Sequence, residues 1–335
     1  MTARHVFRPG IPGIVLVAAI TALCGSVGTV HALGDREEPL IDVEPRRTFA
    51  IVYPYVHPFF DPVTEQAILE GREHSVRIIA RASDQGRVDE QIEIMRTMIA
   101  QGVDGIAIAP TDAERLRPLV NRAVESGIPT ITFESDIPES RRISFLGTDN
   151  FRAGEHLAHV VARVLDYHGE ILVTAGVSSQ TAVNQRLQGI ESALDRFYPH
   201  IRILSARSGE GDPLLTRSVI EEQLREFPRA DALVTIDATA GPTAIAIWKA
   251  MGWTSEERGL VTFDDTVESI EGLRHGVVSA VVTQTQWNWG PLIVGRLLDI
   301  IAGETVPNYL DTGTIELTPQ NVGMYRMFRM FPEGM

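Results

Sequence analysis

From about residue 48 onward, short apolar runs alternate with longer stretches in which apolar residues recur with a helical period. Apolar runs without polar alternation are typical of strands that are buried on both faces of a parallel sheet. These runs predict eleven strands, at residues 48–53, 76–81, 103–109, 129–133, 143–146, 170–175, 201–206, 232–236, 260–263, 278–283 and 314–317.

The stretches between the predicted strands carry helix signals. Asp61-Pro62 places a capping residue before a proline at a helix start, and Met95 and Ile99 share one helical face ahead of Gly102. Strands that alternate with helices predict an α/β fold whose parallel sheets are covered on both faces. Eleven strands are too many for one doubly wound sheet, so we expect two Rossmann-like lobes. A closed eight-stranded barrel is the alternative.

The N-terminus has the pattern of an export signal. Residues 1–34 contain no Asp or Glu, and Arg4 and Arg8 precede a long apolar run that ends in Val30-His31-Ala32. A basic start, an apolar middle and a small residue at the end predict a signal peptide at residues 1–32. A linker at residues 33–47 follows. The mature chain is therefore expected to be exported.

Two alternatives for this segment remain open. An uncleaved membrane anchor is one, because the apolar run is just long enough to span a bilayer. Lipidation of Cys24 is the other, although Leu23 stands where a lipoprotein signal needs a small residue. Since Cys24 is the single cysteine of the chain, a cleaved protein needs no disulfide in an oxidising compartment.

The net charge and the sequence motifs disfavour several classes of function. The chain has 44 acidic and 30 basic residues, a formal charge of −14, so nucleic acid is not an expected partner. No Gly-x-Gly-x-x-Gly follows a predicted strand, and neither a phosphate-binding Gly-x-x-x-x-Gly-Lys motif nor a His-Glu-x-x-His motif occurs. We therefore expect no cofactor, no metal and no enzymatic activity.

Polar and aromatic residues follow nearly every predicted strand. In open parallel sheets, ligands bind beyond the carboxyl ends of the strands. Carboxylates and amides bind hydroxyl groups, and aromatic faces pack on sugar rings, so these ends suit a polyhydroxylated ligand. The polar and aromatic segments that follow the predicted strands are His57-Pro58-Phe59-Phe60, Pro110-Thr111-Asp112, Glu134-Ser135-Asp136, Thr148-Asp149-Asn150, Asp237, Asp264-Asp265 and Gln284.

The order of these segments resembles the type I periplasmic sugar-binding proteins, especially the ribose-binding type. The resemblance extends from about residue 48 to residue 317. Its landmarks are Pro58-Phe59-Phe60, Gln101-Gly102-Val103-Asp104-Gly105, Pro110-Thr111-Asp112, Gly127-Ile128-Pro129, Asp149-Asn150, Gly154, Arg186-x-x-Gly189, Phe263-Asp264 and Gln284.

The resemblance implies two lobes that are joined by a hinge of crossing strands and that hold the ligand between them. The N-terminal lobe would comprise residues 48–147 with 285–312, and the C-terminal lobe residues 148–284 with 313–335. The crossings would lie near Gly147, Gln284 and Thr312.

The resemblance also implies ligand contacts. Phe59 and Phe60 match an aromatic pair that packs on the sugar ring, and Arg186 matches an arginine that donates to ligand oxygens. Asp264 matches an aspartate that accepts from hydroxyls, and Gln284 matches a glutamine of the hinge.

Five residues depart from the ribose-binding pattern. His57, Ala109 and Asp237 stand where those proteins have Asn, and Glu134-Ser135 replaces an Asp-Arg pair. The pocket is then net acidic, which favours a neutral sugar or polyol, or a related molecule with a cationic substituent. The expected ligand-binding residues are His57, Phe59, Phe60, Glu134, Arg186, Asp237, Asp264 and Gln284.

Several of these residues have structural interpretations as well. Phe59 and Phe60 also fit a buried core, Asp264 also fits a cap for the next helix, and Asp149 fits a helix cap better than a ligand contact. Trp287 and Trp289 are expected to pack within a lobe.

The sequence therefore predicts an exported, monomeric solute-binding protein that delivers a sugar-like small molecule to an ABC transporter permease. A periplasmic adaptor that reports the ligand to a sensor kinase or chemoreceptor is the alternative. A secreted sugar hydrolase with Glu134 and Asp264 as paired carboxylates is a third reading. Repressors of the same core fold are disfavoured, because an apolar export segment occupies the place of their DNA-binding helices.

Overall fold

The computed structural model describes residues 46–84 and 86–325. The predicted signal peptide, Cys24, most of the predicted linker and the last ten residues lie outside the described residues. Across the described ranges, none of the helices has the length and apolar character that crossing a membrane requires.

The first half of the chain builds five strands and three helices. They are β1 (Arg47–Tyr53), α1 (Asp61–Glu73), β2 (Val76–Ala82), α2 (Val88–Gln101), β3 (Gly105–Ile108), α3 (Ala113–Glu125), β4 (Thr130–Phe133) and β5 (Phe145–Gly147). A short 3-10 turn, Pro58–Phe60, precedes α1. The helix begins one residue earlier than predicted, so Asp61 is its first residue and not its cap, and Pro62 lies in the first turn.

The second half repeats the alternation and then returns to the first sheet. Its elements are α4 (Asn150–Val164), β6 (Gly169–Ala175), α5 (Thr181–Phe197), β7 (Ile201–Ser208), α6 (Pro213–Glu226), β8 (Ala232–Thr235), α7 (Ala240–Met251), β9 (Gly259–Phe263), α8 (Val267–Arg274), β10 (Ala280–Gln284), α9 (Trp289–Ile301), β11 (Tyr309–Asp311) and β12 (Thr314–Leu317).

The strands form two open six-stranded sheets. The first has the order β2-β1-β3-β4-β5-β11 and the second the order β7-β6-β8-β9-β10-β12. All pairings are parallel except that of β12, which runs antiparallel to β10. The prediction of two α/β lobes with mostly parallel sheets is confirmed, and the barrel alternative is wrong because neither sheet closes on itself.

The chain passes between the sheets at three points, after β5, after β10 and between β11 and β12. Hydrogen bonds tie these crossings together. Asp311 Oδ1 accepts from the backbone N–H groups of Asp149 and Gly313, each at 2.9 Å, and Thr285 Oγ1 donates to the Thr312 carbonyl at 3.0 Å. The three connections therefore form one hydrogen-bonded unit.

Each sheet is buried on both faces, as its uninterrupted apolar runs predict. In β1, Phe49 and Ile51 pack with α1 and α9, whereas Ala50 and Val52 pack with α2 and α3 on the opposite face. Successive residues of a strand point to opposite faces, so both must be apolar when helices cover the sheet on both sides.

Helices α4 and α5 lie in backbone contact because each carries a glycine at the crossing. A Cβ atom built on Gly154 would lie 2.0 Å from the Arg186 carbonyl oxygen, and one on Gly189 would lie 2.0 Å from the Phe151 carbonyl oxygen. The close approach brings Asn150, at the start of α4, within reach of the Arg186 side chain on α5.

Candidate functional site

The carboxyl ends of the strands of the two sheets face each other across a cleft. Several contacts join its walls. Ser179 Oγ donates to the Thr111 carbonyl at 3.0 Å, the Ala182 N–H donates to Ser135 Oγ at 3.3 Å, and Arg186 Nη2 lies 3.7 Å from Glu134 Oε1. Loops that follow β3 and β4 therefore meet the loop after β6 and the first turns of α5.

Arg186 places a positive charge in the cleft, and hydrogen bonds hold its guanidinium in position. Its side chain is almost completely buried, and its guanidinium lies 4.1 Å from the centre of the Phe263 ring. Nε donates to Asn150 Oδ1 at 2.9 Å, and Nη1 donates to the Ile236 carbonyl at 3.0 Å. These bonds hold the plane of the guanidinium and direct Nη2 toward Glu134.

Glu134 follows β4 and is buried against Arg186. Burial raises the pKa of its carboxyl from 4.5 to about 7, although the Arg186 charge opposes this shift; Asp237 adds to it. The backbone of Glu134 has a φ of +62°, a conformation that costs energy in a residue with a side chain. Asn150 Nδ2 donates to the Glu134 carbonyl at 3.2 Å and holds this turn in place.

Asp264 follows β9 and also lies in the cleft, bonded to Gln284. Gln284 Nε2 donates to Asp264 Oδ1 at 3.0 Å, and both residues are almost completely buried. Burial raises the pKa of Asp264 from 3.8 to about 8, against the opposing effects of Arg186 and Gln284. Asp264 does not cap α8, because Thr266 Oγ1 accepts from the Ser269 N–H at 3.2 Å and takes that role.

Asp237 follows β8 and organises its own loop. Oδ1 accepts from the Thr239 N–H at 2.9 Å, the Thr239 hydroxyl at 2.6 Å and the Ala240 N–H at 3.1 Å, while Oδ2 accepts from the Gly176 N–H. The Asp237 carboxylate therefore stabilises the start of α7 and connects the loop after β6 to the loop after β8. The sequence pattern indicates a ligand contact here but not this structural role.

Phe59 and Phe60 follow β1 and belong to the buried hydrophobic core that also contains residues of α1 and α9. His57 Nδ1 accepts from the Phe59 N–H at 3.2 Å and so caps the 3-10 turn. Phe59 packs edge-on against Phe60, with ring centres 5.0 Å apart, and against Trp289, at 6.0 Å. Burial lowers the pKa of His57, although Asp237 is the largest of the nearby charges that oppose this shift.

Trp289 packs within a lobe, as predicted, whereas Trp287 packs against the core of the second sheet, outside the lobe to which the sequence assigns it. Trp289 is completely buried, and its Nε1 donates to Thr312 Oγ1 at 3.0 Å beside the strand crossings. Trp287 lies against Tyr325, with ring centres 5.6 Å apart.

Sequence reasoning missed Tyr55 and Asn150. Burial raises the pKa of Tyr55 well above its ordinary value, and the carboxyls of Asp237, Glu134 and Asp264 raise it further. The charges of these three cleft acids therefore act on the hydroxyl of Tyr55. Its place in the loop after β1, two residues before His57, is the signal that could have identified it.

The interpretation of Asp149 as a helix cap is confirmed. Its neighbour Asn150 was not included among the predicted site residues. Asp149 Oδ1 accepts from the Arg152 N–H at 3.0 Å and begins α4. Asn150 is the residue that links Arg186 to the turn at Glu134.

The structure thus brings the acidic, basic and amide members of the predicted set together: Glu134, Arg186, Asp237, Asp264 and Gln284. Three of their buried side-chain atoms lack a hydrogen-bond partner, namely Glu134 Oε2, Arg186 Nη2 and Gln284 Oε1. Buried polar atoms are nearly always hydrogen-bonded, and leaving one unpaired costs about 1–3 kcal/mol. Within the described residues, no group of three or more His, Cys, Asp or Glu is arranged to hold a metal ion.

Comparisons with known proteins agree with the two-sheet α/β fold. Residues 49–305 match the family described as periplasmic binding protein domain. The chain is 26% identical over 315 residues to a D-ribose/D-allose-binding protein of Pseudomonas aeruginosa, which covers 90% of this chain and 95% of the relative.

Two solved structures are also similar. A sugar-binding protein of a sugar ABC transporter from Bacillus halodurans has a TM-score of 0.76 and 26% identity, over 83% of this chain and 99% of its own. An ABC transporter solute-binding protein from Burkholderia graminis, in complex with D-arabinose, has a TM-score of 0.78 and 26% identity, over 84% of this chain and 98% of its own.

Proposed function

The chain belongs to the periplasmic binding protein domain family, and from this premise we propose that it captures a sugar or sugar-like small molecule between its two lobes. Delivery of that ligand to an ABC transporter permease follows in this proposal. The lobes are residues 48–147 with 285–312, and 148–284 with 313–335.

The observation that carries the proposal is the set of unpaired polar atoms in the cleft. Glu134 Oε2 and Gln284 Oε1 need donors, and Arg186 Nη2 needs an acceptor. A hydroxyl group both donates and accepts, so a polyhydroxylated ligand can satisfy all three atoms at once. The alternating donors and acceptors of a sugar ring fit this need better than an apolar molecule does.

Each predicted site residue has a role in this binding mode. Arg186, Glu134, Asp264 and Gln284 bind ligand hydroxyls, whereas Phe59, Phe60 and His57 form the wall against which a ring packs. Asp237 fixes the loop after β8 and contributes to the negative charge of the cleft. Tyr55 joins the set as a hydroxyl near the acids.

Binding and closure are coupled because the contacting residues come from both lobes. Glu134 belongs to the first sheet, whereas Arg186 and Asp264 belong to the second. A ligand that contacts all of them binds the closed form better than the open form, and this difference in affinity shifts the population toward closure. The closed form is what we expect the permease to recognise.

We place the protein in the periplasm, exported by residues 1–32, and we assign it no catalytic role and a monomeric state. The paired acids Glu134 and Asp264 serve binding in this proposal. A ligand recovered chemically unchanged after prolonged incubation with the protein supports this assignment, whereas turnover would favour the hydrolase alternative.

Thermal unfolding of the purified protein with pentoses, hexoses and polyols tests the proposal. A ligand at 1,000 times its Kd adds about 4 kcal/mol to the free energy of unfolding and raises Tm by several degrees. We expect one group of related sugars to give this shift and Asp264→Asn to remove it. The absence of any shift across the panel would refute sugar binding.

A further inference from the structure

The cleft holds more buried acid than its cation can balance. Glu134, Asp237 and Asp264 are each at most 7% exposed, and Arg186 is the one cation of the described residues that acts on the pKa values of Glu134 and Asp264. His57, which lies near Asp237, has a lowered pKa and adds no second positive charge at neutral pH.

Arg186 directs much of its hydrogen-bonding capacity away from these acids. Nε and Nη1 are used by the Asn150 side chain and the Ile236 carbonyl. Nη2 lies 3.7 Å from Glu134 Oε1, which is longer than a hydrogen bond. The side-chain donor that Asp264 has among the described residues is the neutral amide of Gln284. The negative charge of the cleft is therefore only partly compensated from within.

The unpaired acceptors lie in this same region. Glu134 Oε2 and Gln284 Oε1 are buried and lack a donor. A hydroxyl group supplies one donor and no charge, whereas an ammonium group supplies three donors and a positive charge. Hydrogen bonds between an ammonium group and a carboxylate are stronger than those between a hydroxyl and a carboxylate. An anionic sugar would instead add a further buried negative charge.

We propose that the ligand carries a protonated amino group beside its hydroxyls, as amino sugars and amino polyols do, and that its ammonium binds Glu134 Oε2. This inference rests on the proposed function, because it names the class of sugar-like ligand that the same cleft holds. Glu134 is then the residue that distinguishes an amine from a hydroxyl, and Arg186 binds the ligand hydroxyls.

Matched ligand pairs test the inference. The affinities of D-glucosamine and D-glucose, D-galactosamine and D-galactose, 1-amino-1-deoxy-D-sorbitol and D-sorbitol, and 1-amino-1-deoxyribitol and ribitol are measured by titration calorimetry at pH 7. We expect the amine to bind at least about tenfold tighter than its hydroxyl partner in the pair that fits the cleft.

Variants of Glu134 test whether this residue causes the preference for the amine over its hydroxyl partner. Glu134→Gln removes the charge with little change of shape and should abolish the preference, whereas Glu134→Asp retains the charge and should preserve part of it. Glu139→Gln is the matched control, because Glu139 is exposed in the same loop. Melting curves of the ligand-free variants check that each one folds.

Proton release gives an independent readout. An ammonium beside Glu134 lowers the pKa of this carboxyl from about 7, so the amine should expel about half a proton per binding event at pH 7. Calorimetry in two buffers of different ionisation enthalpy measures this number. The hydroxyl partner should expel fewer protons than the amine.

The outcomes separate the two proposals. If the hydroxyl member of every binding pair binds as tightly as the amine, or if Glu134→Gln keeps the preference, the inference fails and the proposed function stands. If no member of any pair binds but a sugar of the thermal-unfolding panel does, the inference fails and the proposed function stands. If neither the pairs nor that panel contain a ligand, both proposals fail.

Discussion

Glu134→Gln should stabilise the ligand-free protein at alkaline pH while weakening its ligand binding. Burial raises the pKa of Glu134 in the folded chain from 4.5 to about 7. A carboxyl whose pKa is higher in the folded than in the unfolded state binds its proton more tightly when folded. Folding stability therefore falls as pH rises from the unfolded-state value through the folded-state value, and the loss is complete above about pH 7.

The size of the stability difference follows from the pKa shift of Glu134. A difference of about 2.5 pKa units corresponds to about 3 kcal/mol. Glutamine is neutral at every pH, so the variant should match the wild type near pH 4, where Glu134 is protonated. At pH 8 the variant should be more stable by about 3 kcal/mol, or about 5 °C or more in Tm.

Urea unfolding of the ligand-free protein at several pH values measures this difference directly. Glu139→Gln, in the same loop but exposed, should change stability by less than about 0.5 kcal/mol at every pH. A variant that is less stable than the wild type at pH 8, or a difference that does not change with pH, would refute the reasoning. The first result would mean that the Arg186 contact outweighs the cost of burying the carboxylate, and the second that the two effects balance.

Three further changes probe how the cleft is built. Gly154→Ala places a methyl group 2.0 Å from the Arg186 carbonyl and should cost about 1–3 kcal/mol in urea unfolding, whereas Gly295→Ala, in open space on α9, should stabilise by up to about 1 kcal/mol. Ser135→Ala removes the bond that joins β4's loop to the first turn of α5, and calorimetry should show about 3- to 10-fold weaker binding with little loss of stability. Tyr55→Phe should likewise weaken binding without lowering Tm, and unchanged affinity would remove Tyr55 from the site.

The sequence predicts most of the fold because buried strands have a strong local signal. Each of the eleven predicted apolar runs overlaps one strand of the structure. The twelfth strand, β11, was missed since its three residues are half-buried or exposed and lack an apolar run. β11 forms because it lies along β5, where Tyr309 stacks on Phe145 with ring centres 5.4 Å apart. That pairing joins residues more than 160 positions apart, and no local pattern carries it.

The composition of the site was more predictable than the roles of its residues. Charged and amide side chains at strand ends indicate where a ligand binds, because the topology of a parallel sheet brings those ends together. Which of these side chains hold a loop or another side chain in position depends on individual hydrogen bonds. Asp237 binds its own loop, and Asn150 orients Arg186, but the two have equivalent positions in the pattern of polar strand ends.

The two acids with raised pKa values occupy equivalent positions in the two lobes. Glu134 follows β4 and Asp264 follows β9, each the fourth strand of its sheet, and each acid comes directly after a buried phenylalanine. Both have a positive φ, +62° and +69°, which costs about 1 kcal/mol or more in a residue with a side chain.

Both residues therefore combine an unfavourable backbone conformation with a buried acid, and neither feature helps the ligand-free protein to fold. The positive φ turns each chain at the end of its strand, so that the carboxyl lies in the cleft. Strain and uncompensated charge of this kind persist where a bound partner relieves them. Because the two acids approach the cleft from opposite lobes, a ligand that neutralises or hydrogen-bonds both of them relieves the cost only when the lobes are closed. In the proposed binding mode, the same two residues that destabilise the empty cleft thereby link ligand binding to closure.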